Sequence, residues 1–275
     1  MKIGDRYYIA GIRIQLVANE KELLDSGWTY FAVGQKGKIA YCVRIEEISR
    51  NLDECHYSNV QAYHVSNVDG KMLHILQCNG ETMICNSMYN RVIYLPLKDE
   101  KNIDVLLLQL FYTHAVRRQM LQLHCATIDD DGRGILFLGP SGIGKTTQAE
   151  RWAQYRGSAI INGDIGFVQR TDTGYTAWGT PWHGSSPYCL NASVPVRALV
   201  VLKQAPQNAL RELTGFEKVR EVSGSVFYPT WLEDGMELCT DTLNHLLSDL
   251  PVYRLDNRAD EEAVRLLAAE IDRIS

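Results

Sequence analysis

The sequence predicts an α/β chain of the α+β kind, with a β-rich region over residues 1–100 and a mixed strand-and-helix region over 101–275. Three observations carry this. Apolar residues alternate with polar ones in the first hundred positions, the period of half-buried strands. From Asn102 the apolar spacing lengthens to that of a helix. In mid-chain the apolar run Gly134-Ile135-Leu136-Phe137-Leu138 passes through a glycine-rich bend into residues 147–156, which read as a helix.

In the first region Ile12, Ile14 and Leu16 alternate with polar residues, as do Ile39, Tyr41, Val43 and Ile45. Asp69-Gly70 and Asn79-Gly80 each separate two strand-like runs and supply the positive φ angles of tight hairpins, so an antiparallel meander is expected. His56, His64 and His74 are spaced too widely for a ligand set and read as surface or packing residues. The region is expected to serve recognition or as a scaffold.

Ile103, Leu106, Leu107, Leu110, Phe111 and His114 then fall on one helical face, followed by Arg117-Arg118, which suits a helix C-terminus. This helix is expected to be a connector packed on the sheet that follows. A strand over 121–128, the turn Asp129-Asp130-Asp131-Gly132 and the strand over 134–138 form a hairpin that runs directly into the bend. A doubly wound parallel sheet would reach its next strand through a helix instead.

The bend, Gly139-Pro140-Ser141-Gly142-Ile143-Gly144-Lys145-Thr146, has two glycines five positions apart, then Lys and Thr. Strand, loop and helix in that order is the context a phosphate-cradling pattern requires. Glycines let successive N–H groups turn inward without Cβ clashes, and the helix N-terminus adds partial positive charge. Backbone amides from Ser141 to Lys145 would wrap the phosphates of a nucleotide. Lys145 would reach the β/γ-phosphates and the Thr146 hydroxyl would sit on Mg²⁺, with Thr147 next in the first helical turn.

The helix turns Ala149, Trp152 and Ala153 inward and stops at Gly157. The apolar strand after it, Ala159-Ile160-Ile161-Asn162-Gly163-Asp164, ends in a carboxylate. An acid there holds Mg²⁺ through its water, takes the proton of an attacking hydroxyl, or caps a turn. A further hairpin over 167–178 opens into Gly179-Thr180-Pro181-Trp182-His183-Gly184-Ser185-Ser186-Pro187, an irregular loop that makes His183 a candidate for a substrate or phosphate contact. A buried strand over 198–202 and two helices complete the chain. One helix carries Cys239, Thr242, Leu243, Leu246 and Leu247 on one face, the other Ala263, Leu266, Leu267 and Ile271.

A net charge of −5 and no long Lys/Arg run give no electrostatic footprint for nucleic acid or an anionic membrane. The N-terminal residues carry charge and glycine where a secretory signal needs an apolar core, so a cytoplasmic protein is expected. The seven cysteines are scattered without a Cys-x-x-Cys pair, the pattern of reduced thiols.

From about Leu121 onward the chain resembles the HPr kinase/phosphorylase-like group of the phosphoenolpyruvate carboxykinase-like superfamily. The resemblance rests on His124-Cys125-Ala126 one hairpin before the bend, the Gly-x-Ser-Gly-x-Gly-Lys-Thr bend and the strand ending at Asp164. It continues in Gly179-Thr180-Pro181-Trp182, the strand over 196–202, and Leu250-Pro251-Val252-Tyr253 before the last helix. It implies a mixed sheet flanked by helices, binding of ATP and Mg²⁺, and γ-phosphoryl transfer to a hydroxyl, with Asp164 as base toward the acceptor and His124 lining the phosphate site.

Gly163-Asp164 stands where true HPr kinases have paired acids, and Thr147 where they have an acid. The likeness is therefore to the smaller relatives that accompany peptide-tailoring genes. The acceptor it implies is a hydroxyl of a peptide, a protein or a small molecule, and a homo-oligomer is compatible with it. A nucleotide-binding switch or assembly factor, with the β-rich region as its partner surface, is the alternative reading.

Overall fold

The computed structural model describes residues 5–17, 24, 26–34, 36–45, 61–68, 71–78, 81–95 and 103–274. These divide into two compact units, residues 1–115 with 229–235 and residues 116–228 with 236–275. The division falls at 115/116 rather than at residue 100.

The first unit is a mixed sheet of β1 (Asp5–Ile9), β2 (Ile12–Val17), β3 (Ala32–Val33), β4 (Tyr41–Ile45), β5 (Gln61–Val68), β6 (Lys71–Cys78), β7 (Glu81–Asn86) and β8 (Arg91–Leu95), in the order β3-β1-β2-β4-β8-β7-β6-β5. Strands β5 to β8 pair antiparallel in sequence, the expected meander. Its dipeptides Asp69-Gly70 and Asn79-Gly80, like His56, lie outside the described residues. His74 is buried and stacks on Tyr89 at 4.4 Å between ring centroids, which makes it a packing residue.

Helix α1 (Ile103–Val116), expected as a connector, is grouped with this unit as far as Ala115. The reason lies in its polar ties: Trp28 Nε1 donates to Asp104 Oδ1 at 2.9 Å, a ring nitrogen of His114 meets Tyr89 O at 2.9 Å, and Trp231 Nε1 donates to Thr113 Oγ1 at 2.8 Å. Trp231 lies in the 229–235 segment, which therefore joins this unit although it falls late in the chain.

The second unit is built on a mixed sheet of β9 (Met120–Asp129), β10 (Gly134–Leu138), β11 (Ala159–Asn162), β12 (Ile165–Thr171), β13 (Gly174–Trp178), β14 (Ser193–Gln204), β15 (Ala209–Leu213), β16 (Val226–Phe227) and β17 (Val252–Asn257). Its helices are α2 (Lys145–Arg156), α3 (Phe216–Val222), α4 (Gly235–Asp249) and α5 (Glu261–Arg273). Strands β10, β14 and β17 run parallel to one another, while β9 is antiparallel to β10 and β12.

The strand expected over 198–202 is longer, and β15, α3, β16 and β17 were not foreseen. The apolar–polar alternation of β15 is broken by Arg211 and Glu212, because it pairs only with β17 and leaves most of its side chains in water.

One face of this sheet is sealed by α2 and α5. Ala149 and Trp152 of α2, and Val264, Leu267, Ala268 and Ile271 of α5, bury against Ile135, Phe137, Val200 and Leu255. Leu266, expected on the apolar face of the last helix, is partly exposed, and Val264 and Ala268 take that role.

A buried carboxylate locks the hairpin to the far end of α2. Asp130 accepts from Arg133 Nη2 at 2.7 Å, Arg156 Nη2 at 2.9 Å and Ser158 Oγ at 2.8 Å. Burial works to raise its pKa, but these hydrogen bonds and the two guanidinium charges outweigh it and hold the carboxyl below the usual range. Asp130→Asn should cost about 2 kcal/mol in denaturant unfolding at pH 7. A depressed folded-state pKa gives stability that is present above the unfolded value of about 3.9 and is lost as pH falls through the folded one. The gap between wild type and Asp130→Asn should therefore hold at neutral pH and close below about pH 4.

Candidate functional site

The glycine bend leaves β10 at Leu138 and enters α2 at Lys145. Gly139, Gly142 and Gly144 take φ values of 141°, 78° and 104°, which L side chains avoid. Gly144 is the helix N-cap and offers no side-chain hydrogen bond, so the first turn of α2 has no cap of its own.

Strand β9 brings the other parts to this bend. On one side its partner is β10 as far as Leu138 opposite Cys125, and then β16, with Val226 opposite Leu123. On the other side its partner is β11, ending with Asn162 opposite Thr127, and then β12, beginning with Ile165 opposite His124. Both neighbours change at the same level, and His124 sits at the break. The bend leaves through one gap and Asp164 turns through the other.

Three of the expected residues meet there. Lys145 Nζ lies 2.9 Å from His124 Nε2, and the same ring nitrogen lies 3.0 Å from Asp164 Oδ1. Lys145 also donates to Gly139 O at 3.1 Å and Pro140 O at 3.3 Å, so the ammonium is folded into its own loop. It is 6% exposed, whereas the side chains of His124 and Asp164 are 24% and 32% exposed and face the opening. Burial lowers the Lys145 pKa, and the Asp164 charge opposes that shift. Thr146 Oγ1 donates to Gly163 O at 3.1 Å, which sets its hydroxyl beside the turn that carries Asp164.

His183 is in the loop that covers this turn. Its Nδ1 is bonded to Ser186 O, and the residue packed on the carboxylate is its neighbour: a Cβ on Gly184 would lie 2.0 Å from Asp164 Oδ2. Cys125, next to His124, is fully buried, and burial pushes its thiol up to about 12, so it stays protonated. Phe227 presents a half-exposed ring 6.3 Å from that of His124.

Two parts of the site were missed from sequence. The buried side chain of Asn162 donates to Thr180 O at 3.3 Å and Trp182 O at 2.8 Å, and accepts from the amides of Asp164 at 3.0 Å and Ile165 at 2.9 Å. It shapes the turn and ties it to the covering loop. An Asn two residues before a strand-end acid is an Asx-turn signal, and that was the legible half. The second is the packing on Gly163, which the sequence marked only as standing in place of an acid: a Cβ there would sit 1.8 Å from Ser186 Oγ and 2.5 Å from Ser186 Cβ, so a side chain at this position would force the covering loop to shift.

The geometry defines an α/β protein with a glycine bend between strand and helix, a partly exposed carboxylate and imidazole beside it, and a lysine folded into it. A family model described as SynChlorMet cassette protein ScmC matches residues 96–244, more than half the chain, and the chain belongs to that family. Among solved structures it is similar to the Hpr(Ser) kinase/phosphatase from Coxiella burnetii, with 10% identity and a TM-score of 0.35 over 55% of this chain and 91% of that one. No curated protein matches it. Among the described residues no helix is long and apolar enough to cross a membrane.

Asn162→Ala would leave the part-buried amides of Asp164 and Ile165 without their acceptor, at about 1–3 kcal/mol for each group left unsatisfied, while the Thr180 and Trp182 carbonyls keep the Cys189 thiol and the Thr180 hydroxyl as donors. The expected result is a loss of at least about 2 kcal/mol in chemical denaturation.

Proposed function

We propose that the chain is an ATP- and Mg²⁺-dependent kinase that transfers the γ-phosphoryl group to a Ser or Thr hydroxyl of a peptide, a protein or a small molecule. The observation that carries this reading is the contact chain Lys145–His124–Asp164 at the mouth of an uncapped glycine bend. The bend supplies fixed amides for phosphate oxygens, and the carboxylate stands where an acceptor can approach from solvent.

The trio as it stands is under-satisfied. One ring nitrogen of His124 can accept from the Lys145 ammonium or donate to the Asp164 carboxylate, and cannot do both. An anion in the bend would draw Lys145 away from His124 and leave the imidazole to Asp164. Lys145 would then balance the charge on the transferring group while the bend holds the remaining phosphates.

Thr146 and Asp164 offer a hydroxyl and a carboxylate, the hard oxygen donors that suit Mg²⁺. A bound Mg²⁺ neutralises charge on the phosphate oxygens. Asp164 accepts the proton of the acceptor hydroxyl as its oxygen bonds to the γ-phosphorus. The bond from that phosphorus to the bridging oxygen breaks, and ADP leaves with the electron pair. His124 orients the carboxylate. His183 folds the covering loop through Ser186 O and so places Gly184 over Asp164.

Two substitutions separate the roles. Lys145→Ala should abolish ATP binding, read by calorimetry. Asp164→Asn should keep ATP affinity within about threefold and lower transfer from labelled ATP by about 10²–10⁴-fold, the usual worth of a positioned base. Unchanged transfer in Asp164→Asn would remove Asp164 from the mechanism, whereas ATP binding by the wild type without transfer to any hydroxyl would remove the kinase reading and leave a nucleotide-binding switch. Gly184→Ala should act like Asp164→Asn, because its new methyl group displaces the carboxylate without touching the bend. Normal turnover of a folded Gly184→Ala protein would show that the position of Asp164 does not matter.

A further inference from the structure

A groove of about 570 Å³ runs along the flank of the glycine bend away from Asp164. Three segments line it: residues 142–144 with Thr147, residues 204–206 at the end of β14, and residues 257–259 between β17 and α5. Its volume falls within the ~300–1,000 Å³ of ordinary small-molecule sites. None of its residues belongs to the trio at the mouth of the bend.

The sheet order explains where it lies. Strand β10 stands between β9, which carries His124, and β14, which is followed by β17. Because β10, β14 and β17 are parallel, their C-terminal ends open on the same edge, where ligands of such sheets bind. The chemistry at Asp164 is on the β9 side of the bend and the groove is on the β14–β17 side. A triphosphate whose terminal group faces Asp164 has to send its other end across the bend to this side.

The groove is also preformed. Asn257 donates to Lys203 O and Leu255 O, each at 3.2 Å, and accepts from the Ala259 amide at 2.9 Å. Ala259 is held at φ 55°, and its carbonyl accepts from Arg151 Nε of α2 at 3.0 Å. Asn208 accepts from the Arg258 amide at 3.0 Å, and Asp260 caps α5 through the Ala263 amide at 3.1 Å. Opposite this wall, Gln204 Nε2 donates to Ile143 O at 3.4 Å and joins the crest of the bend to the end of β14. Between the walls, Ile143, Ala205 and Pro206 give apolar surface and Thr147 gives a hydroxyl.

We infer that this groove holds the nucleoside part of the nucleotide, with the base against the Ile143–Pro206 surface and Thr147 at the sugar end. The inference rests on the nucleotide-binding reading above and adds to it the residues that recognise the nucleoside.

The test compares Mg²⁺-ATP with Mg²⁺-tripolyphosphate, which has the phosphates and no nucleoside, by isothermal titration. Wild-type protein should bind ATP at least tenfold more tightly than tripolyphosphate. Pro206→Trp fills the groove from an exposed position, and Ala205→Trp fills it from within. Each should weaken ATP at least tenfold and leave tripolyphosphate within about twofold, with unchanged circular dichroism. Equal affinity of wild type for the two ligands, or unchanged ATP affinity in a folded Pro206→Trp protein, would overturn the inference. Lys145→Ala separates the two readings: loss of both ligands there upholds phosphate binding in the bend whatever the groove variants do, and retention of both removes it.

Discussion

The site exists because β9 changes partners on both edges at the same level. A strand flanked continuously on both sides has no room for a loop to leave the sheet beside it or for a polar side chain to reach solvent. Here β10 ends opposite Cys125 and β16 begins opposite Leu123, while β11 gives way to β12 across the strand. His124 falls in the break, and the two chain segments that depart there carry Lys145 and Asp164. The break is covered without being filled. The Cys125 amide donates to Asp164 O at 3.0 Å, so the turn is anchored to the strand it leaves.

Around that break the structure separates fixed parts from movable ones. The buried amide side chain of Asn162 holds the turn by two hydrogen bonds to its backbone and ties it to the covering loop by two more. The far end of α2 is held by Asp130 through Arg156 and by Arg151 on the Ala259 carbonyl. The Lys145 ammonium, by contrast, is held by two loop carbonyls and a shared imidazole nitrogen. Burial penalises its charge, so a stronger anionic partner has little to compete against.

How much of this was legible follows from the range of the interactions. The bend, its strand and its helix are written within two dozen residues, because glycine conformations and helix capping are local, and the α2 helix needed only a shift of its start to Lys145. Asp164 was legible as an acid following an apolar strand for the same reason, although β11 ends at Asn162 and the acid lies in the turn after it. The partnership of Asn162 with Thr180 and Trp182 spans 18 and 20 residues and depends on a loop with no periodicity. Gly184 on Asp164 is likewise a contact between segments, visible only as one glycine among others. Strand β16 has two residues and owes its existence to the edge that β10 vacates, so no local pattern could announce it. Helix α1 was read correctly as a helix, but its partners, among them Trp28 and Trp231, are set by distant contacts.

The glycine before Asp164 constrains the chemistry that can be proposed. A second acid beside the first would let one carboxylate hold metal while the other takes a proton. At position 163 a Cβ would meet Ser186 Oγ at 1.8 Å and Ser186 Cβ at 2.5 Å, so an acid there would require the covering loop to move. In the proposed kinase Asp164 therefore serves alone, and a carboxylate bound directly to Mg²⁺ would lose the basicity it needs toward a hydroxyl. In that reading Thr146 would be the residue to hold the metal, and the Asp164 carboxylate would be left to the acceptor hydroxyl and to His124. The single acid goes with an imidazole at 3.0 Å, and in the proposed kinase the pair would do the work that two carboxylates would otherwise share.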